Sequence, residues 1–214
     1  MQRPRKAPKR NETPEPQEAR RERICDAAFA VLMERGYAAA STLDIATRAK
    51  VSKRELYAQF GSKLGIFQAM ISGRASRMRL ALQSPSVRSR EGLAQTLARF
   101  GIEVQRGIGS PGVIALYRLA VVEAEASPEM ARELDACGRK ANLAALAKLT
   151  SDMQSAGILR AGDPMVMARQ FFWLLSGDTM MRSLMGVEPA PTSAEMQRRA
   201  QAATDAFMTL HVAE

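Results

Sequence analysis

The sequence predicts an all-α fold of about nine helices, on three observations. Ala, Leu, Arg, Glu, Gln and Met dominate its 214 residues, 46% are apolar, only 5% are aromatic, and strand formers are sparse. Apolar side chains recur at steps of three and four, the spacing of one helical face. Helix starts carry their own punctuation, in Ser-Pro and Asp-Pro pairs and in Ser or Thr followed three residues later by an acid.

Residues 1–18 hold Pro4, Pro8, Pro14 and Pro16 and almost nothing apolar, which predicts a disordered arm. Arg3, Arg5, Lys6, Lys9 and Arg10 make its first half basic, suited to phosphate or minor-groove contacts. A helix over 19–35 follows, with Ile24, Ala27, Ala28, Val31 and Leu32 on one face. Gly36 ends it and Tyr37 re-enters the core. Ser41 to Asp44 opens a short helix to Ala49, and Ser52 to Glu55 opens another to Phe60. Ser62 caps a longer one over 62–83. Further helices are expected over 90–106, 111–125, 128–155, 164–185 and 193–211, with Ser110-Pro111, Ser127-Pro128, Asp163-Pro164 and Thr192 to Glu195 as their starts.

The chain carries a net charge of +9. Residues 1–63 hold 14 basic and 8 acidic side chains, whereas residues 64–214 hold 17 and 14, so the excess is concentrated in the first third. Such a balance favours anionic partners. Cys25 and Cys137 form neither a disulfide framework nor a metal spacing, and read as ordinary reduced thiols. The single histidine, His211, lies near the end of the chain and supports neither a triad nor a multi-histidine metal site. Met1 to Glu18 has no apolar signal core, and the longest dense apolar run is Phe171–Leu175. A cytoplasmic protein that does not enter membranes is therefore expected. Gly107 to Gly112 spells Gly-x-Gly-x-x-Gly, but Leu93, Leu97, Phe100 and Val104 before it have helical spacing, so no strand leads into a nucleotide loop. No cofactor, no metal and no enzymatic activity are expected; Cys137 lacks a setting that would activate a thiol.

Two short helices joined by a tight turn form a helix-turn-helix. Ile45, Ala46, Val51 and Leu56 must meet in one small contact, with Ala46 small so that the second helix can cross close above it. That helix then turns Lys53 and Arg54 outward, with Tyr57 one turn later. A helix N-terminus with two cations can meet phosphates through N–H groups and bases through Arg.

These positions resemble the TetR-family DNA-binding domain: Gly36-Tyr37, Ser41-Thr42, Ile45-Ala46, Val51-Ser52, Leu56-Tyr57, Phe60, Lys63 and Ile66-Phe67, over roughly residues 20–67. The resemblance implies that Thr42 bonds a phosphate, that Ser52, Lys53, Arg54 and Tyr57 face the groove, that Gln59 touches the backbone, and that Lys63 neutralises another phosphate. Phe60 is expected to pack beneath the recognition helix. Lys50 stands where the family carries Gly; a non-Gly residue at positive φ costs about 1 kcal/mol, and its charge can approach a phosphate. Leu43 can read only a thymine methyl or nothing.

Residues 164–185 carry two apolar series: Val166, Gln170, Trp173, Gly177, Met180, Leu184, and Met167, Phe171, Leu174, Asp178, Met181, Met185. The last helix adds Met196, Ala200, Ala203, Phe207 and Leu210. The resemblance implies a homodimer built by these two helices. The expected seam is Val166, Trp173, Gly177, Met180, Met181, Leu184, Ala200, Ala203 and Phe207, with Gly177 allowing close approach. The segment Leu116 to Met130, Gly157-Ile158-Leu159 and Asp163-Pro164 resembles the C-terminal domain of the AcrR-like subgroup. This implies a small-molecule pocket, with Met70, Phe100, Tyr117, Arg118, Val121 and Phe171 as candidate lining and Glu123 as a further polar candidate. The expected organisation is thus an arm (1–18), a DNA-binding domain (19–67) and an effector and dimerisation domain (68–214). The expected function is a dimeric repressor that binds a palindromic double-stranded DNA operator and is released by an effector. The alternative is a basic helical protein that binds nucleic acid without sequence preference or effector control.

Overall fold

The computed structural model describes residues 16–83 and 87–213. The basic arm expected before Pro16 lies outside them. The helices are α1 (Gln17–Ala39), α2 (Thr42–Arg48), α3 (Lys53–Phe60), α4 (Lys63–Arg79), α5 (Arg90–Ile108), α6 (Pro111–Val122), α7 (Pro128–Glu133), α8 (Ala141–Ser155), α9 (Pro164–Ser176), α10 (Thr179–Met185) and α11 (Ser193–His211). A 3-10 turn (Leu80–Gln83) extends α4, and a π-helical stretch (Leu134–Lys140) joins α7 to α8. Among the described residues there is no strand, only an isolated bridge between Leu159 and Val212. No described helix is long and apolar enough to cross a membrane.

The starts follow the sequence signals. Ser41, Ser52, Ser62, Ser89, Ser110, Asp163 and Thr192 each accept a backbone N–H in the first turn of the helix they precede. Ser52–Glu55 and Thr192–Glu195 are reciprocal capping boxes. Ser127 departs from expectation. Its side chain makes no cap bond, and α7 starts on Pro128 alone.

Two cores form. The first gathers Ile24, Ala28 and Leu32 of α1, Ile45 and Ala46 of α2, Leu56 of α3 and Ile66, Phe67 and Met70 of α4, and it takes in Leu116, Met130 and Leu134. The second gathers Leu93, Leu97 and Phe100 of α5, Leu143 and Leu146 of α8, Met167 and Phe171 of α9, and Ala200, Ala203 and Phe207 of α11. Rings interlock there: Phe171 stacks on Phe100 with centroids 6.3 Å apart and meets Phe207 edge-on at 5.7 Å. A Cβ placed on Gly101 would lie 3.0 Å from that of Ala200, so α5 and α11 approach where both residues are small.

The helix expected over 164–185 is two helices. Gly177, at φ 48° and ψ −132°, ends α9, and its N–H bonds the Trp173 carbonyl. It breaks the helix at the position where close approach of two helices was expected. Beyond it the buried positions change to Thr179 and Ser183. Ala200, Ala203 and Phe207 are likewise corrected: all three are buried against α5 and α9 of their own chain, so they cannot face a second subunit.

Candidate nucleic-acid interface and internal cavity

The helix-turn-helix is closed by backbone geometry. At the end of α2 the Lys50 N–H bonds the Thr47 carbonyl at 3.2 Å and the Val51 N–H bonds that of Ala46 at 3.0 Å. This paired pattern requires a left-handed residue between them, and Lys50 supplies it at φ 52°. Ile45, Ala46, Ala49 and Leu56 are buried beneath the turn. Two ion pairs fix α2 to α1: Arg48 holds Glu34 bidentately at 2.6 and 2.7 Å, and Arg35 reaches Asp44 at 2.8 Å. The Arg48 hydrogen bond lowers the Glu34 pKa, and the Ser41 hydroxyl does the same for Asp44, with Arg35 adding to it.

On the outer side, Lys50, Ser52, Lys53, Arg54 and Tyr57 are exposed together. The Thr42 and Tyr57 hydroxyls are 3.1 Å apart, and the Lys53 ammonium lies 5.9 Å from the Tyr57 ring centre. Leu43 is exposed beside them. The capping box modifies the expected helix N-terminus. The Glu55 N–H is taken by the Ser52 hydroxyl, and the Glu55 carboxylate accepts the Ser52 N–H at 2.8 Å, which holds that carboxyl below its usual range. Phe60 packs inward, with the Arg21 guanidinium 5.0 Å from its ring centre.

Two expected backbone contacts are placed elsewhere. Lys63 turns inward: its ammonium donates to the Tyr37 carbonyl at 2.8 Å, with the Ala38 carbonyl at 3.5 Å, and lies 4.4 Å from the Tyr37 ring centre. It clamps the short last turn of α1 that follows the non-helical Gly36, because those carbonyls point at the start of α4. Gln59 is half-buried, and its amide nitrogen is enclosed without a partner.

The same segment is held from the other side by Glu123, the residue that caps the end of α6. The Glu123 carboxylate accepts the Tyr37 N–H at 2.7 Å and the Ala38 N–H at 3.2 Å. Gly36 makes this possible twice over. It adopts φ 78°, and a Cβ there would sit 2.6 Å from the Glu123 oxygen. Sequence reading left Glu123 as a polar candidate for the pocket; no local pattern connects it to a turn 86 residues earlier.

A cavity of about 290 Å³ lies between α4, α5, α6, the π-helical stretch, α8 and α9, with Met180 of α10 at its edge. Ile71, Arg74, Ala75 and Met78 line it from one face of α4, and Val113, Leu116 and Tyr117 from α6. Leu143, Phe172, Trp173 and Met180 complete much of the remainder. Of the six candidate lining residues only Tyr117 lies in this wall. Met70, Phe100 and Phe171 are packed solidly in the two cores, and Val121 is 69% exposed. Arg118 faces away and donates to the Leu184 and Ser183 carbonyls at 2.8 and 2.9 Å, tying α6 to α10. Cys25 and Cys137 are unbridged thiols, and burial raises the pKa of both.

Residues 24–70 match the family model described as bacterial regulatory proteins, tetR family, and residues 95–211 match the AefR-like transcriptional repressor, C-terminal domain. Over 54 residues the chain is 39% identical to the HTH-type transcriptional regulator YvkB of Bacillus subtilis (strain 168), a match covering 25% of this chain and 29% of that protein. A TetR transcriptional regulator from Agrobacterium tumefaciens is similar across 91% of this chain and 95% of its own, at 30% identity and a TM-score of 0.73. The flavonoid-responsive regulator FrrA is similar across 91% and 98%, at 26% identity and a TM-score of 0.70.

Proposed function

Because the chain belongs to the TetR family of DNA-binding transcriptional regulators, we propose that it acts as a dimeric repressor whose operator grip is set by a small molecule in the cavity. The observation that carries this reading is a convergence. Two of the helices that wall the cavity lead to the same dipeptide, Tyr37–Ala38: α4 through the Lys63 ammonium on its carbonyls, and α6 through the carboxylate of Glu123, the residue that caps its end, on its N–H groups. A ligand that displaces α4 or α6 moves the turn from which α2 and α3 extend. It releases DNA to the extent that it binds the displaced state more tightly.

Lys53, Arg54 and Tyr57 are the proposed readers in the major groove, with Thr42, Ser52 and Lys50 on phosphates. Val166, Trp173 and Leu174 of α9, Met181 of α10 and Leu210 of α11 form exposed apolar surface and are the proposed dimer contacts. Two copies joined there would present paired α3 helices to a two-fold symmetric site. FrrA is named for its response to flavonoids, a precedent for response to a small molecule on this fold.

Selection of bound DNA from a random library tests the reading, with Arg54→Ala alongside. A palindromic site is expected, and the substitution should weaken binding to it by about 1–3 kcal/mol. Weak, uniform protection of any duplex would instead favour a binder without sequence preference.

A further inference from the structure

The cavity wall contains three arginines, Arg74, Arg139 and Arg169, and among the described residues no Asp or Glu. Two have ordinary surface settings: Arg139 is exposed and bonds Asp135 at 2.9 Å, and Arg169 is exposed. Arg74 differs. It is half-buried, and its guanidinium sits over the Phe29 ring at 4.9 Å. Its hydrogen bonding among the described residues is a long 3.4 Å contact to the Met70 carbonyl. No described carboxylate forms an ion pair with it; Asp26 attracts it only through space, and burial pushes its pKa down.

A cation held in an apolar wall without a partner is costly, and an arriving anion relieves that cost. The guanidinium fork matches a carboxylate, and the Phe29 ring packs beneath it at 4.9 Å. Arg74 also borders a second cleft that holds Glu22 and Asp26, so its fork stands between that cleft and the cavity. The rest of the wall asks for an apolar body, and about 290 Å³ suits a compact one. We infer that the cavity takes an apolar monocarboxylic acid whose carboxylate is anchored by Arg74. This rests on the reading of the cavity as the effector site. It also deepens that reading, because the anchor stands on α4, the helix that begins at Lys63.

Three ten-carbon probes separate charge from shape: decanoate, decanamide and decylammonium. Thermal shift reports occupancy; emission from Trp173, the single tryptophan, a wall residue and a proposed dimer contact, is a second readout taken at fixed protein concentration. Decanoate should bind at least about tenfold more tightly than decanamide, the ratio expected of one charge-assisted contact, and decylammonium most weakly. Arg74→Met should bring the acid-to-amide ratio close to unity, and Arg74→Lys, which keeps the charge but not the fork, should give a ratio between the two. Equal binding of the amide or the amine, binding by none of the three, or a ratio unmoved in folded Arg74→Met would overturn the inference. Should Arg74→Met not fold, the wild-type series and Arg74→Lys decide. Decanoate that binds with this preference yet leaves operator affinity unchanged would sink the effector reading and spare the anion site. Operator release by decanamide alone would do the reverse.

Discussion

Replacing Glu123 by Ala removes the acceptor of two backbone N–H groups at once. The Tyr37 bond, at 2.7 Å and partly buried, is charge-assisted, a class worth about 1.5–3 kcal/mol. The Ala38 bond is exposed and longer at 3.2 Å, and adds about 0.5 kcal/mol. Glu123→Ala should therefore cost about 2–3.5 kcal/mol, a fall in Tm of about 4–14 °C for a chain of this size. Glu123→Gln keeps one acceptor oxygen and should lose about half as much. Urea unfolding gives the free energies, provided the m-value is unchanged. Operator titrations with and without a bound effector give the coupling, which should shrink in both variants. A Glu123→Ala protein that unfolds at the wild-type urea concentration and keeps full coupling would show that the contact carries neither stability nor signal.

Three further outcomes follow from local geometry. Lys50→Gly relieves a left-handed residue, so stability should hold or rise by up to about 1 kcal/mol, while the salt slope of operator binding falls by about 0.9; an unchanged slope would put Lys50 off the phosphates. Gly177→Ala meets open space but an unfavourable backbone, and should lose about 1–3 kcal/mol in chemical denaturation; no loss would mean the break between α9 and α10 adapts freely. Burial, then Arg160, hold the His211 pKa below the usual imidazole value, so the unfolded chain takes up the proton first. Stability should be full above about pH 6.5 and decline as pH falls through the lower folded value, and His211→Leu should flatten that decline in a Tm series. Both ring nitrogens are enclosed without partners, so the leucine leaves no polar group stranded.

What was legible in the sequence was what neighbours in sequence decide. Ser52 and Glu55 stand three apart, and their capping box forms as read. Lys50 was flagged for positive φ and has it, because two carbonyls of α2 demand that geometry. Apolar spacing identified the stripe Ala200, Ala203, Phe207 but not what covers it; α5 does, by virtue of Gly101. Both apolar series of 164–185 run in phase through Gly177, so periodicity concealed a break that a single backbone angle makes. For Lys63 the family resemblance implies a phosphate contact, but the Tyr37 and Ala38 carbonyls that it meets lie 26 and 25 residues away in sequence, beyond any local pattern. The cavity had no local signature at all. Residues of the right type, such as Phe100 and Phe171, fill space instead of lining it.

The π-helical stretch Leu134–Lys140 sits where one continuous rod passes from the first core to the second. Met130 before it and Leu134 at its start are buried in one, and after it Leu143 and Leu146 are buried in the other. A wide turn holds a surplus residue that a regular helix would reject, and it shifts the phase of all that follows. The rod thus contains a built-in joint, and Gly138 and Arg139 at that joint border the cavity. Two wall residues of the cavity are therefore placed by the same irregularity that re-phases the helix between the two cores.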